Sequence, residues 1–296
     1  MNLVHYLEIA LLALIQGAAE LLPVSSSAHV ILAQRLMGMH PSRPEQVFLL
    51  VMLHTGTMFA VLVYFWPRWR RYWRPDGTGA GALPSLRQFL QFVVVATLGS
   101  AVIVAILKVT IEKVILEKLL KYETGEVEEL FKHLPLVAAG LAAVGVMILV
   151  AGSRRWANAS GPPTNWSAAW IGLVQGFCVP FRGFSRSGAT ISTGLFCGVS
   201  RALAEDFSFA LAIVITPPAM AYSLYKLFKA HELSKSLILE VLVPGLAGMV
   251  LSFASGYLAL RLLSAVLERG QWKYFGYYCL AAAAVIFGAN FVLPPV

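Results

Sequence analysis

Pro23-Val24-Ser25-Ser26-Ser27 and Gly183-Phe184-Ser185-Arg186-Ser187 are small polar breaks inside otherwise apolar sequence. How they are read decides the fold. Each joins an apolar run to a second one, 25–38 or 187–200, that is too short to cross about 30 Å of hydrocarbon. Neither break is long enough to be a loop that leaves the membrane. Both therefore read as the tips of helical hairpins that enter the membrane and turn back.

Working outward from the tips, the apolar runs are 3–21, 25–38, 47–66, 88–109, 134–152, 166–181, 187–200, 205–227, 238–263 and 273–293. One offset of 160 residues relates Ser25 to Ser185, Ser27 to Ser187, Ile31 to Ile191 and Glu45 to Glu205. Gln16-Gly17 recurs as Gln175-Gly176, one residue out of register. A shared offset clustered at both tips marks the second half as a diverged copy of the first.

Composition agrees with a membrane protein. The chain has 296 residues, 58% hydrophobic and 13% charged, with a mean hydropathy of +0.72, whereas soluble domains carry roughly 25% charged residues. The net charge of +8 does not point to nucleic acid, because the basic residues lie in short loops where membrane orientation is encoded. Met1 to Leu22 has neither a basic n-region nor a small-residue cleavage site, so the first apolar run is expected to stay in the mature protein. Cys178, Cys197 and Cys279 stand singly in apolar runs and are expected to be packing residues.

Loop charge sets the orientation. Residues 67–87 carry Arg68, Arg70, Arg71, Arg74 and Arg87 against Asp76 alone, which predicts a cytoplasmic loop. The stretch 110–133, with six Glu and four Lys, then lies outside, and Arg154 and Arg155 return inside. Trp66, Trp69, Trp73, Trp156, Trp166, Trp170 and Trp272 all fall near the cytoplasmic interface, as belt residues do. Lys226, Lys229 and Lys235 come out external, against the trend. If all ten runs crossed, Ser26 and Arg186 would end on opposite sides. With two re-entrant hairpins, one tip enters from outside and the other from inside, and both reach the midplane. The expected fold is an all-α integral membrane protein of two inverted repeats, each with five helical segments, one re-entrant hairpin and three transmembrane helices. The first repeat is 1–152, with hairpin 3–38 and helices 47–66, 88–109 and 134–152. The second is 153–296, with hairpin 166–200 and helices 205–227, 238–263 and 273–293.

The polar residues gather at the tips. Irregular backbone survives in a membrane only where protein or a watery cavity satisfies it. A helix starting at each tip offers free N–H groups and a positive dipole end, which suits phosphate; plain helix capping by Ser26 and Ser187 is the other reading. Arg186 near the bilayer centre marks a functional site, and its planar fork matches phosphate oxygens. Glu20 follows Gln16 by one helical turn, and His29 follows Ser26 by three residues, so each pair shares a helix face. His29 is a base or nucleophile near neutral pH, and Ser26 a nucleophile that it would activate. His54 and Thr55, beside Gly56, lie mid-segment and are candidates to face the same cavity. His5, His40, His133 and His231 are expected at interfaces, and Glu45, Asp206 and Arg201 are expected to be structural.

The stretch Gly17-Ala18-Ala19-Glu20-Leu21-Leu22-Pro23-Val24-Ser25-Ser26-Ser27-Ala28-His29 resembles the first signature of the bacitracin-resistance type of undecaprenyl-pyrophosphate phosphatase. Gly183-Phe184-Ser185-Arg186-Ser187-Gly188-Ala189-Thr190 resembles the second, and Gly198-Val199-Ser200-Arg201 and Phe207-Ser208-Phe209 match flanking positions. The resemblance covers nearly the whole chain. It implies a bacterial inner-membrane phosphatase, its site open to the external side, that takes the terminal phosphate off a C55 polyprenyl diphosphate and so recycles the lipid carrier of cell-wall synthesis. It also implies a divalent cation, Mg²⁺ or Ca²⁺, with Glu20 as its ligand. The implied site is Glu20, Ser26, His29 and Arg186 for catalysis, with Ser25, Ser27, Ser185, Ser187 and Thr190 around the phosphate. A homodimer is compatible with this reading. The chain departs from the family pattern in having Gln16 for a usual glutamate, Ala28 for glycine, Arg182 for proline and Asp206 for glutamate. Gln16 removes a carboxylate from the site, and Arg182 adds a cation beside it. The alternative is a lipid-phosphate transporter, since inverted repeats with midplane hairpins also build transporters.

Overall fold

The computed structural model describes residues 3–39, 43–73, 83–112, 133–153, 159–229 and 235–293. Among the described residues ten α-helices follow in order: α1 Leu3–Leu21, α2 Ser26–Leu36, α3 Pro44–Trp69, α4 Leu86–Val109, α5 Leu134–Ala151, α6 Asn165–Cys178, α7 Arg186–Phe196, α8 Arg201–Lys229, α9 Lys235–Glu268 and α10 Lys273–Ala289. They match the ten apolar runs to within a few residues. Their starts are written in the sequence. Ser85 and Gln88 form a reciprocal capping box at α4, and Thr164 and Ser167 do the same at α6. Pro in the first turn opens α3 and α5, where its missing N–H costs nothing.

Among the described residues five stretches are long and apolar enough to cross a bilayer: Pro44–Trp73, Leu86–Glu112, Leu134–Ala151, Arg201–Lys229 and Leu242–Glu268. The sixth expected crossing, α10, is apolar but has 17 residues. At 1.5 Å per residue, α2 and α7, with 11 residues each, span only about 17 Å. The bundle's outside is apolar, with Leu98, Val102, Val146 and Leu258 all exposed. This is a multi-pass membrane protein.

Packing joins helices far apart in the chain: α1 packs along α9, α6 along α4, and α5 along α10. The repeated Gln-Gly pair explains the close approach. A Cβ on Gly17 would lie 2.5 Å from the Ser252 carbonyl oxygen, and one on Gly176 would lie 2.6 Å from that of Ser100. Only glycine lets these backbones meet, which offsets its helix-propensity cost of about 1 kcal/mol. Gly161 and Val199, which flank α6–α7, form a parallel bridge, with Gly161 N–H donating to Gly198 at 3.0 Å and Ser200 N–H to Gly161 at 2.9 Å. The segment before α6 and the segment after α7 therefore lie side by side.

Tryptophan placement is mixed. Trp66, Trp73, Trp166 and Trp170 are exposed, as belt residues should be. Trp272 is not: it is buried and donates its indole N–H to Ser192 Oγ at 3.2 Å, so it is a core residue of the α7–α10 contact. Cys178 and Cys279 are buried free thiols and Cys197 is half-buried, in keeping with packing roles. Trp156, Arg154, Arg155, His40, His231 and most of 110–133 lie outside the described residues.

Candidate active site

The tips meet. Ser27 of the first accepts from the Gly183 N–H of the second at 3.3 Å, and Ser187 of the second donates to the Leu22 carbonyl of the first at 3.2 Å. Each tip is also closed on itself, Ser25 Oγ to Ser27 Oγ at 3.2 Å and Ser185 Oγ to Ser187 Oγ at 3.4 Å. The two serine-rich motifs are thus one structure, joined by two hydrogen bonds in which the offset-related serines Ser27 and Ser187 each reach the backbone of the other tip.

The helix starts differ in a way that matters. The N-cap positions are Ser25 and Ser185, each one or two residues ahead of the serines that sequence alone nominated. Ser185 Oγ accepts from the Gly188 N–H at 3.3 Å and caps α7. Ser25 makes no side-chain cap bond, and its φ of +65° is the only positive value at a non-glycine among the described residues. Backbone held in that region is strained and clusters at binding sites. The first-turn amides of α2 are left without a serine cap, at the positive end of a helix dipole.

Glu20, at the end of α1, is the hub. Its Oε2 accepts from Ser26 Oγ at 2.5 Å and from Gln16 Nε2 at 3.2 Å. Its Oε1 takes Arg186 Nη2 at 3.2 Å, an ion pair that crosses from one tip to the other. His54 Nε2 stands 3.7 Å from Oε2. The His54 Nδ1 atom lies 2.7 Å from the Leu50 carbonyl, which can only accept, so Nδ1 carries the proton and Nε2 a lone pair. Gln16 Nε2, 3.2 Å from that lone pair, then spends one N–H on His54 and the other on Glu20. His54 thus does face the site.

His29 is fixed by the same logic. Its Nδ1 is 2.9 Å from the Ser25 carbonyl, and its Nε2 is 2.8 Å from the Tyr278 hydroxyl, which stacks beside it. Nδ1 carries the proton and Nε2 is the acceptor. Thr190 is turned away: its hydroxyl is buried, 2.6 Å from Ser208 Oγ and 2.8 Å from the Arg186 carbonyl. It braces α7 against α8 rather than lining the cavity. Ser25, Ser185 and Ser187 are also buried, with hydroxyls engaged within and between the tips. Glu20 and Arg186 both line the cavity that opens here. Arg182 is exposed in the second tip, its carbonyl oxygen 2.9 Å from where a Cβ on Gly140 of α5 would sit.

A family model described as bacitracin resistance protein BacA matches residues 9–285. The chain belongs to the BacA family. Among its relatives, an undecaprenyl-diphosphatase 2 of Acinetobacter baylyi is 48% identical over 290 residues, 97% of each chain. The undecaprenyl-diphosphatase of Desulfatibacillum aliphaticivorans is 33% identical over 97% of this chain and 100% of its own. That of Korarchaeum cryptofilum is 33% identical over 93% and 96%.

In this BacA-family chain the four departures fall in different places. Gln16 is in the cluster and bridges Glu20 to His54. Ala28 is a buried packing residue of α2. Asp206 is remote from the tips. It takes Arg68 Nε at 2.6 Å and the Tyr72 hydroxyl at 3.0 Å, while Glu205 takes Arg68 Nη1 at 2.8 Å and the Ser264 hydroxyl at 2.6 Å. This buried cluster ties α3 to α8 and gives Asp206 the structural role expected of it. Its partner Arg68 reads in the sequence only as one of several loop arginines. Tyr278 is likewise invisible in sequence, being 249 residues from His29.

Proposed function

We propose that this chain removes the terminal phosphate of undecaprenyl diphosphate, giving undecaprenyl phosphate, at the junction of its two serine-rich tips. The observation that carries the reading is the line Ser26–Glu20–Arg186: a hydroxyl, a carboxylate and a guanidinium linked at 2.5 and 3.2 Å beside the uncapped start of α2. Full-length relatives that bear the name undecaprenyl-diphosphatase support it.

The terminal phosphoryl group would rest on the first-turn amides of α2 and the Arg186 fork. Ser26 Oγ attacks the terminal phosphorus and passes its proton to Glu20 Oε2. The bond from that phosphorus to the bridging oxygen breaks, and undecaprenyl phosphate leaves. Water then attacks the phosphoserine and gives a proton to His29 Nε2, while Glu20 returns its proton to Ser26 Oγ. Charge on the transferring group is greatest in the transition state, where Arg186 and the α2 dipole are aimed.

Arg186→Lys tests the fork. Lysine keeps the charge but not the two-point geometry, and loss of one such contact costs on the order of 3 kcal/mol, about a hundredfold in kcat. Phosphate release by the purified variant at the wild-type rate would reduce Arg186 to a point charge.

The residues fit a cation only as one shared with the substrate. Glu20 is the sole carboxylate at the tips, and no group of three or more His, Cys, Asp or Glu gathers among the described residues. Mg²⁺ or Ca²⁺ bound between Glu20 and the phosphate oxygens would offset phosphate charge. Gln16→Glu adds the second carboxylate one turn from Glu20, and should lower the cation concentration that gives half-maximal phosphate release. An unchanged requirement in a titration with Mg²⁺ and Ca²⁺ would remove the cation from Glu20.

We further propose the inverted-repeat frame, with halves 1–152 and 153–296 and hairpins entering from opposite faces of the bacterial inner membrane. The exchanged pairing of α1 with α9 and of α6 with α4 supports it, as does the bridge joining the ends of the second hairpin. The site would open externally. Single cysteines in a background without the native three should label from the cytoplasm at 67–87 and from outside at 115–130; labelling of both from one face would sink the hairpins. A homodimer would add nothing to the site, since its groups meet within one chain. The transporter alternative uses the same frame but leaves the Ser26–Glu20 hydrogen bond without a task.

A further inference from the structure

A diphosphate held at Glu20 and Arg186 carries a long apolar chain, and that chain must reach the bilayer between two helices. One side is closed by α9 packing on α1 and α3. A Cβ on Gly17 would lie 2.5 Å from the Ser252 carbonyl oxygen, and one on Gly56 would strike the Met249 carbonyl. The α5 side is closed as well, where a Cβ on Gly188 would meet Ile148 Cδ1 at 3.0 Å and Val144 Cγ2 at 3.1 Å. The cavity that contains Glu20 and Arg186 runs instead between α3 and α8, past Thr57, Met58 and Val61 on one wall and Ala212, Ile213 and Thr216 on the other.

Along this wall α8 changes from buried to exposed. The inner stretch of α8 is buried from Leu203 to Ala212, whereas beyond it Val214, Tyr222, Tyr225 and Phe228 are exposed and Leu227 alone is buried. Pro217 and Pro218 stand at the change. They remove the N–H donors that would bond the carbonyls of Ile213 and Val214, which weakens the helix where it leaves the bundle. Most of the wall is apolar, and of its two threonines Thr57 spends its hydroxyl on the His54 carbonyl at 2.9 Å.

We infer that the cleft between α3 and the part of α8 that carries Pro217 and Pro218 binds the first isoprene units of the lipid tail, and that the outer half of α8 leans away to pass the rest into the bilayer. The inference deepens the phosphatase reading and rests on it for the position of the diphosphate. It explains how one end of the substrate meets charge while the other never leaves apolar surroundings.

The test places the photo-reactive residue p-benzoylphenylalanine at Thr216, and in a second variant at Leu98, an exposed position on α4. Each is irradiated with radiolabelled undecaprenyl diphosphate. Label should enter at 216 well above 98 and be competed away by unlabelled lipid. A second variant, Thr216→Trp, narrows the cleft. The ratio of kcat/KM for undecaprenyl diphosphate to that for isopentenyl diphosphate should fall by about tenfold, the scale on which a hydrophobic pocket discriminates. Equal labelling at both positions with an unchanged ratio overturns the cleft. Specific label at 216 in a wild-type background that releases no phosphate keeps the cleft and overturns the phosphatase reading.

Discussion

Ser26→Ala is expected to lower kcat for undecaprenyl diphosphate about 10⁶-fold, the scale seen when a serine nucleophile is removed, while substrate binding changes little. The expectation follows from the 2.5 Å hydrogen bond that aims the Ser26 hydroxyl at Glu20. A serine hydroxyl is a weak nucleophile until an adjacent base takes its proton. Alanine removes the attacking oxygen but leaves Arg186 and the α2 amides in place, so affinity should survive. Single-turnover phosphate release and equilibrium binding on the same purified variant separate the two effects. A variant that turns over at the wild-type rate would transfer the attack to His29 or to water.

Glu20→Gln is expected to cost about a thousandfold in kcat, within the range for loss of a general base, without raising KM. Glutamine can still accept from Ser26 and fill the same space, but it cannot take a proton. It also ends the ion pair with Arg186 at 3.2 Å, which frees that guanidinium for phosphate and removes a negative charge beside an anion. Binding should therefore hold or tighten as turnover falls, a split that a merely unfolded variant would not give. Wild-type kcat in Glu20→Gln would mean that the first hairpin is not the catalytic element.

Much of the site was legible because it is local and repeated. Ser26 and Arg186 stand at matching positions of two short motifs, Glu20 lies in the first of them, and irregular polar backbone within apolar runs has few uses other than binding. The same repeat located the Gln-Gly pairs whose glycines let α1 meet α9 and α6 meet α4. Finer placement was not legible. Ser185 caps α7 in place of Ser187, and α2 starts after Ser25 with no side-chain cap, because that start depends on one residue at positive φ that composition does not reveal. Thr190 reads as part of the phosphate motif, yet its hydroxyl is committed to Ser208, a partner supplied by packing of α7 on α8. Trp272 looks like an interfacial aromatic until the burial of α10 is known. Tyr278 and Arg68 act across separations of 249 and 137 residues, where only the tertiary fold brings partners together.

Hydrolysis at the joined tips is decided by product analysis with pure protein. Undecaprenyl diphosphate incubated with the purified chain in detergent should yield inorganic phosphate and undecaprenyl phosphate in equal amounts, with neither formed by Glu20→Gln above about a thousandth of the wild-type rate. Lipid that binds competitively but is recovered as intact diphosphate would contradict the account, and would leave the protein a carrier of lipid phosphates rather than an enzyme that cleaves them.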